Sequence, residues 1–127
     1  MLKVFISFRC MGLTYDEAVK RRDKIAEDYI NQHKKHKDDI EIIDSLFNTY
    51  VPGESNPVEY LGKSIEKMKD ADVVLVPVDY KKSRGCQIET MVANIYEIPI
   101  NSYILTNDGC YFIEGFMEYY ENAKSKE

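Results

Sequence analysis

A chain of 127 residues, 44% of them hydrophobic, is long enough for one sizeable core, and residues 1–127 read as a single domain. A formal net charge of −5 argues against a nonspecific nucleic-acid binder, whose affinity rests on neutralising phosphates, and no apolar run reaches the length of a membrane span. The three cysteines, Cys10, Cys86 and Cys110, form no C-x-x-C pair, so the composition points to a cytoplasmic protein with no metal and no cofactor.

Val4-Phe5-Ile6-Ser7-Phe8 reads as the first strand, and Met1 to Ile6 run straight into it with no signal-peptide pattern. Thr14 and Glu17 form a T-x-x-E capping box that opens a helix. Tyr15, Ala18, Val19, Ile25, Ala26, Tyr29 and Ile30 give that helix one apolar face. Ser7, Arg9 and Gly12 lie in or beside the loop before it and supply the parts of an anion pocket, although a plain strand–helix turn explains them equally well. The run from His33 to Lys37 ends the helix, where cations complement the helix dipole.

Ile40-Glu41-Ile42-Ile43 is a short second strand, and Asp44 and Ser45 at its end are expected to face a pocket. The connection from Asp44 to Ser55 is long but carries Leu46, Phe47, Tyr50 and Val51, which predicts a loop folded over the sheet edge as a pocket wall. Asn56-Pro57-Val58-Glu59 starts a second helix with a buried stripe of Val58, Leu61, Ile65 and Met68, and Ser64 lies beside that stripe. Val73 to Val78 is a buried third strand, and Asp79 to Lys82 lead away from it. Ser102 to Leu105 is a fourth strand, followed by a turn at Thr106 to Gly109. Tyr111 to Ile113 is either an edge strand or the lead into a last helix holding Phe116, Met117, Tyr119 and Tyr120, and Lys124 to Glu127 read as a frayed tail.

The stretch Ser83-Arg84-Gly85-Cys86-Gln87-Ile88-Glu89 follows the third strand and precedes Met91, Val92, Ile95 and Tyr96 at helical spacing. It reads as a loop and the opening turn of a helix, with Ser83 as cap and Gly85 allowing close approach of a ligand. Glu89 falls about one turn in, where the helix dipole favours an ionised carboxylate able to act as a nucleophile; an ordinary acidic first turn is the plainer reading. Alternating strands and helices give an α/β fold with a mostly parallel sheet, and right-handed crossovers place the first strand between the second and third. The carboxyl ends of those strands then bring together residues 7–12, 44–45 and 79–89.

The order of Ser-Phe-Arg with a glycine loop, Ile-Ile-Asp-Ser, Tyr-Leu-Gly-Lys-Ser, Ala-Asp-Val-Val and Arg-Gly-Cys-Gln-Ile-Glu resembles the nucleoside 2-deoxyribosyltransferase-like superfamily over roughly residues 3 to 105. Within it the likeness is to a small bacterial and phage branch related to deoxynucleoside monophosphate N-glycosidases. The resemblance implies a Rossmann-like or flavodoxin-like domain, a sheet of four to five strands with helices on both faces, and a homodimer or larger homo-oligomer. It implies an enzyme acting on a nucleoside or nucleotide, as hydrolase or deoxyribosyltransferase, in which Glu89 attacks C1′ of the sugar. The substrate-binding residues are then Ser7, Phe8, Arg9, Gly12, Asp44, Ser45, Ser64, Asp79, Arg84, Gly85 and Gln87. Two departures stand out: Ser64 takes the place of a frequent family acid on the preceding helix, and Ser83 that of an aspartate six residues before the nucleophile. Asp79, the nearest acid to that second position, reads first as a turn residue capping the Lys81 or Lys82 amide, ahead of a catalytic role. A chain without both acids has little to protonate a leaving base, which keeps a non-catalytic nucleotide or nucleotide-signal binding module as the alternative. A protein-interaction domain working through the tyrosine-rich C-terminus is a third reading, and Cys86 beside Arg84 is a candidate reactive thiol or a buried one.

Overall fold

The computed structural model describes residues 1–33, 37–51 and 53–116. The centre of the basic run, the expected last helix with Met117, Tyr119 and Tyr120, and the tail lie outside the described residues. The elements are β1 (Leu2–Ile6), α1 (Tyr15–Gln32), β2 (Ile40–Ile42), α2 (Pro57–Lys67), β3 (Val73–Pro77), α3 (Arg84–Ile95), β4 (Ile100–Thr106) and β5 (Gly109–Ile113). They build an α/β fold on one five-stranded sheet in the order β2-β1-β3-β4-β5. The first four strands are parallel, and β5 closes the sheet antiparallel to β4. Residues 111–113 are thus an edge strand, joined to β4 by a tight hairpin in which Gly109 has φ +143°.

Side chains of a strand alternate between faces, and a parallel sheet covered on both sides needs apolar residues in unbroken runs. Every residue of β3 is buried accordingly. Val4, Ile6, Val73 and Leu75 pack with Ala18, Ile25, Ala26 and Tyr29 of α1 on one face. Phe5, Val74 and Val76 pack on the other with Met68, just past α2, and with Cys86 and Ala93 of α3. Helices therefore cover both faces. The sheet is pinned at its base, where the Asp72 carboxylate accepts from the Lys3 amide at 2.8 Å and the Lys3 carbonyl accepts from the Asp72 amide at 2.8 Å.

Local signals set the helix ends. Thr14 accepts from the Glu17 amide while the Glu17 carboxylate accepts from the Thr14 amide, so both halves of the capping box form. Asn56 caps α2 through the Val58 amide, with Pro57 in its first turn. Ser83 caps α3 through the Cys86 amide at 3.3 Å. At the far end of α3, Glu97 sits at φ +58° while the Ile98 amide closes onto the Ala93 carbonyl at 2.8 Å. This is a left-handed helix stop of the kind glycine usually makes.

The stripe expected to be buried on α2 is only partly so, and most of the helically spaced apolar residues of α3 are exposed. Met91, Ile95 and Tyr96 are 59%, 65% and 75% exposed. The buried side of α3 is Cys86, Glu89, Thr90 and Ala93, small or polar residues that let the helix sit close to the sheet. The spacing of 91, 95 and 96 was helical, but periodicity does not say which of two stripes faces inward. Val58, in the first turn of α2, is also exposed, while Leu61 and Ile65 are half-buried and Met68 is buried. Among the described residues no helix is long and apolar enough to cross a membrane.

Candidate functional site

Beyond the carboxyl ends of β1 and β2 a cavity of about 350 Å³ opens between α1, α2 and α3. That is the size class of small-molecule sites. Its wall is largely apolar and aromatic: Phe8, Leu13, Tyr15, Leu46, Phe47, Tyr50, Tyr60 and Leu61 all contribute. Among the described residues its only charged side chains are Glu89 and Arg84.

Glu89 is the chemical centre of this cavity. It lies on the inner side of α3 and is 8% exposed. Ser7, one residue past β1, donates to Oε1 at 2.7 Å, and Ser64 of α2 donates to Oε2 at 2.8 Å. Three segments far apart in the chain thus meet on one carboxylate. Burial pushes the Glu89 pKa up to about 6, and the two serine bonds pull it back part of the way. The expected help from the helix dipole is outweighed, because that effect fades beyond the first turn while desolvation does not. Each carboxylate oxygen has a second lone pair, so a hydroxyl on each leaves further acceptor capacity on a residue that lines the cavity.

The other expected residues divide into two groups. Phe8, Ser45, Ser64, Arg84 and Gly85 line the cavity with Glu89, and Ser7 stands directly behind the carboxylate. Ser45 is nine-tenths buried, and its hydroxyl meets no partner among the described residues. A Cβ on Gly85 would meet only Leu61 Cδ1 at 4.0 Å, so the space beside it is open. Arg9, Gly12, Asp44, Asp79 and Gln87 lie outside the lining. Arg9 is exposed, and its carbonyl accepts from Arg21 at 3.4 Å. Gly12 turns the loop at φ +83°. Asp44 takes an ion pair from Arg22 at 2.9 Å, and Gln87 donates to the Lys81 carbonyl at 2.7 Å. The Asp79 carbonyl accepts from the Lys82 amide, so the residue opens a turn.

The wall from the long loop is an ordered aromatic group. Phe47 and Tyr50 meet the Tyr60 ring edge-on, at 5.9 and 5.1 Å between centroids. The Tyr60 hydroxyl bonds Thr49 at 2.8 Å, and Lys63 Nζ stands 4.6 Å from the Tyr60 ring centre. Sequence reasoning missed the share taken by Leu13, Thr14 and Ile88, which flank the two helix starts; a cap next to a candidate loop was the available signal. Burial holds the thiols in their protonated form. Burial pushes Cys10 up to about 12, with the Glu89 charge adding to it, and burial also raises Cys86. Among the described residues no three His, Cys, Asp or Glu side chains come together as a metal site. No protein-family model, curated protein or solved structure matches the chain.

Proposed function

We propose that this protein cleaves the N-glycosidic bond of a nucleoside or nucleotide through a covalent intermediate on Glu89. One observation carries the reading: a buried carboxylate, held by two hydroxyls, forms the wall of a cavity of ligand size. A Glu89 oxygen attacks C1′ as the C1′–N bond breaks, and the bonding pair leaves with the base, which takes a proton from water. The sugar is then an ester of Glu89. Water, or a second base in a transferase, attacks C1′, the ester bond breaks and the carboxylate is regenerated, with the incoming group's proton released to solvent. Splitting one displacement into two is the logic of retaining glycosidases. The aromatic group of Phe47, Tyr50 and Tyr60 suits a planar base, and Ser45 offers it a free hydroxyl. Arg84 at the same cavity is the group available to a phosphate.

The fold reading belongs with this proposal. The order β2-β1-β3-β4 of parallel strands supports a Rossmann-like or flavodoxin-like domain, and the antiparallel β5 is its departure. Cytoplasmic residence and a homo-oligomer are parts of the same reading. The test is release of free base from a panel of nucleosides and 5′-monophosphates, followed by chromatography. Wild type is expected to release base from at least one, with a rate that falls as pH drops through about 6 because the nucleophile must be ionised. Glu89→Gln is expected to lose at least about a thousandfold in rate. No release from any compound would sink the proposal.

A second reading has one observation in its favour: Glu89 is the only carboxylate in the lining among the described residues, so no lining acid protonates a departing base. The protein would then bind the same ligands without turnover. A nucleotide that raises the melting temperature but is recovered intact would select that reading.

A further inference from the structure

Pro77 breaks the ladder next to the site. In the β1–β3 pairing Ile6 lies opposite Leu75, and the Ser7 amide donates to the Leu75 carbonyl at 2.9 Å. Continued by one step, a parallel ladder would draw the donor for the Ser7 carbonyl from the amide of residue 77. Residue 77 is proline and has no N–H. The Ser7 carbonyl is nevertheless satisfied: the Tyr103 hydroxyl donates to it at 2.6 Å in the buried interior. Tyr103 sits on β4 directly opposite Pro77, so its phenol crosses the gap that the proline leaves. Phe112 of β5 holds the ring, with centroids 5.9 Å apart, and Tyr103 is 1% exposed.

We propose that Tyr103 is a positioning residue for Glu89: its phenol replaces the missing Pro77 amide, fixes the main chain at Ser7, and so keeps the Ser7 hydroxyl on the Glu89 carboxylate. Burial raises the Tyr103 pKa well above its ordinary value, so the donated proton is in place at every working pH. The bearing of this relay on catalysis rests on Glu89 being the nucleophile. The relay itself concerns the ionisation of Glu89 and is measured without turnover.

The experiment is a carbon-13 carboxyl titration of Glu89 in the ligand-free protein, with the signal assigned by its loss in Glu89→Gln. Tyr103→Phe is expected to raise the Glu89 pKa by about half a pH unit or more, because a loosened Ser7 stabilises the charged form less. Ser7→Ala is expected to raise it as well, and adding Tyr103→Phe to Ser7→Ala is expected to change nothing further. Adding Pro77→Ala to Tyr103→Phe restores a main-chain donor and is expected to return the titration most of the way. If Tyr103→Phe does not fold, 3-fluorotyrosine at position 103 is used instead; its more acidic phenol donates more strongly and is expected to lower the Glu89 pKa. An unmoved titration in whichever variant is read, or an equal shift with Ser7 already removed, would overturn the relay. Titrations that behave as expected in a protein that releases no base would leave the relay standing and remove the glycosidic reading alone.

Discussion

Glu89 carries a cost that its two serine bonds reduce without removing. Its carboxyl is raised from an ordinary 4.5 to about 6, so the folded state holds the proton more tightly than the unfolded chain. Below about pH 4.5 the group is neutral in both states and costs nothing. Between about pH 4.5 and 6 the unfolded chain ionises while the folded state still holds its proton, so stability falls across that window by about 2 kcal/mol and stays lower above it. Glu89→Gln is therefore expected to melt several degrees higher than wild type at pH 7.5, with the difference closing towards pH 4.5, as read by calorimetry. A glutamine variant less stable at both pH values would show that the carboxylate is there for structure. The position of Glu89 was legible in the chain, because an apolar strand, a serine cap and a glycine precede it. Its relay was not: nothing local to Tyr103 says that its hydroxyl lies opposite a proline 26 residues earlier, a distance along the chain (103 − 77) that only the register of β3 and β4 closes.

Among the elements, α3 turns outward most of the apolar residues that mark it in the sequence, and it ends in a strained stop. Its N-terminal cap followed from Ser83, but the spacing left its inward side open. Cys86, Thr90 and Ala93 carry little hydrophobic signal beside Met91 and Ile95, and close approach to the sheet favours small residues over large ones. Thr90 even buries a hydroxyl that meets no partner among the described residues. At the helix end a left-handed glutamate costs about 1 kcal/mol that glycine would not. Glu97→Gly is expected to raise stability by about 0.5 kcal/mol in urea unfolding, less than the full gain because glycine loses more freedom on folding. A lower midpoint would show that the Glu97 side chain contributes something the backbone geometry does not reveal.

The whole molecule presents a surface that one chain leaves uncovered. Past Arg84 the exposed residues of α3 are Gln87, Ile88, Met91, Asn94 and Ile95, none of them charged, although 31% of the chain is charged. Depletion of charge around apolar side chains marks the centre of interfaces, and an uncharged face is complementary to its own copy. On the proposed homo-oligomer reading, a Met91→Lys, Ile95→Lys pair is expected to leave the melting temperature within a few degrees and to lower the mass in light scattering to that of one chain. A wild type that runs as a monomer at every concentration would end the homo-oligomer reading. At this scale the chain was most legible: alternation gave the α/β class, and handed crossovers gave β1 its place between β2 and β3. The outer side of the sheet was less so, since Tyr111 to Ile113 suit a strand or a helix lead equally and only pairing with β4 decides.

The bond from Ser7 to Glu89 spans 82 positions, and the one from Ser64 spans 25. A nascent chain emerging from the ribosome therefore holds its first serine long before the acid it must meet. Only when β1, α2 and α3 have packed together does the carboxylate find both hydroxyls and lose its water. A chain cut anywhere between Ser7 and Ser64 therefore parts the carboxylate from one of its two hydroxyls.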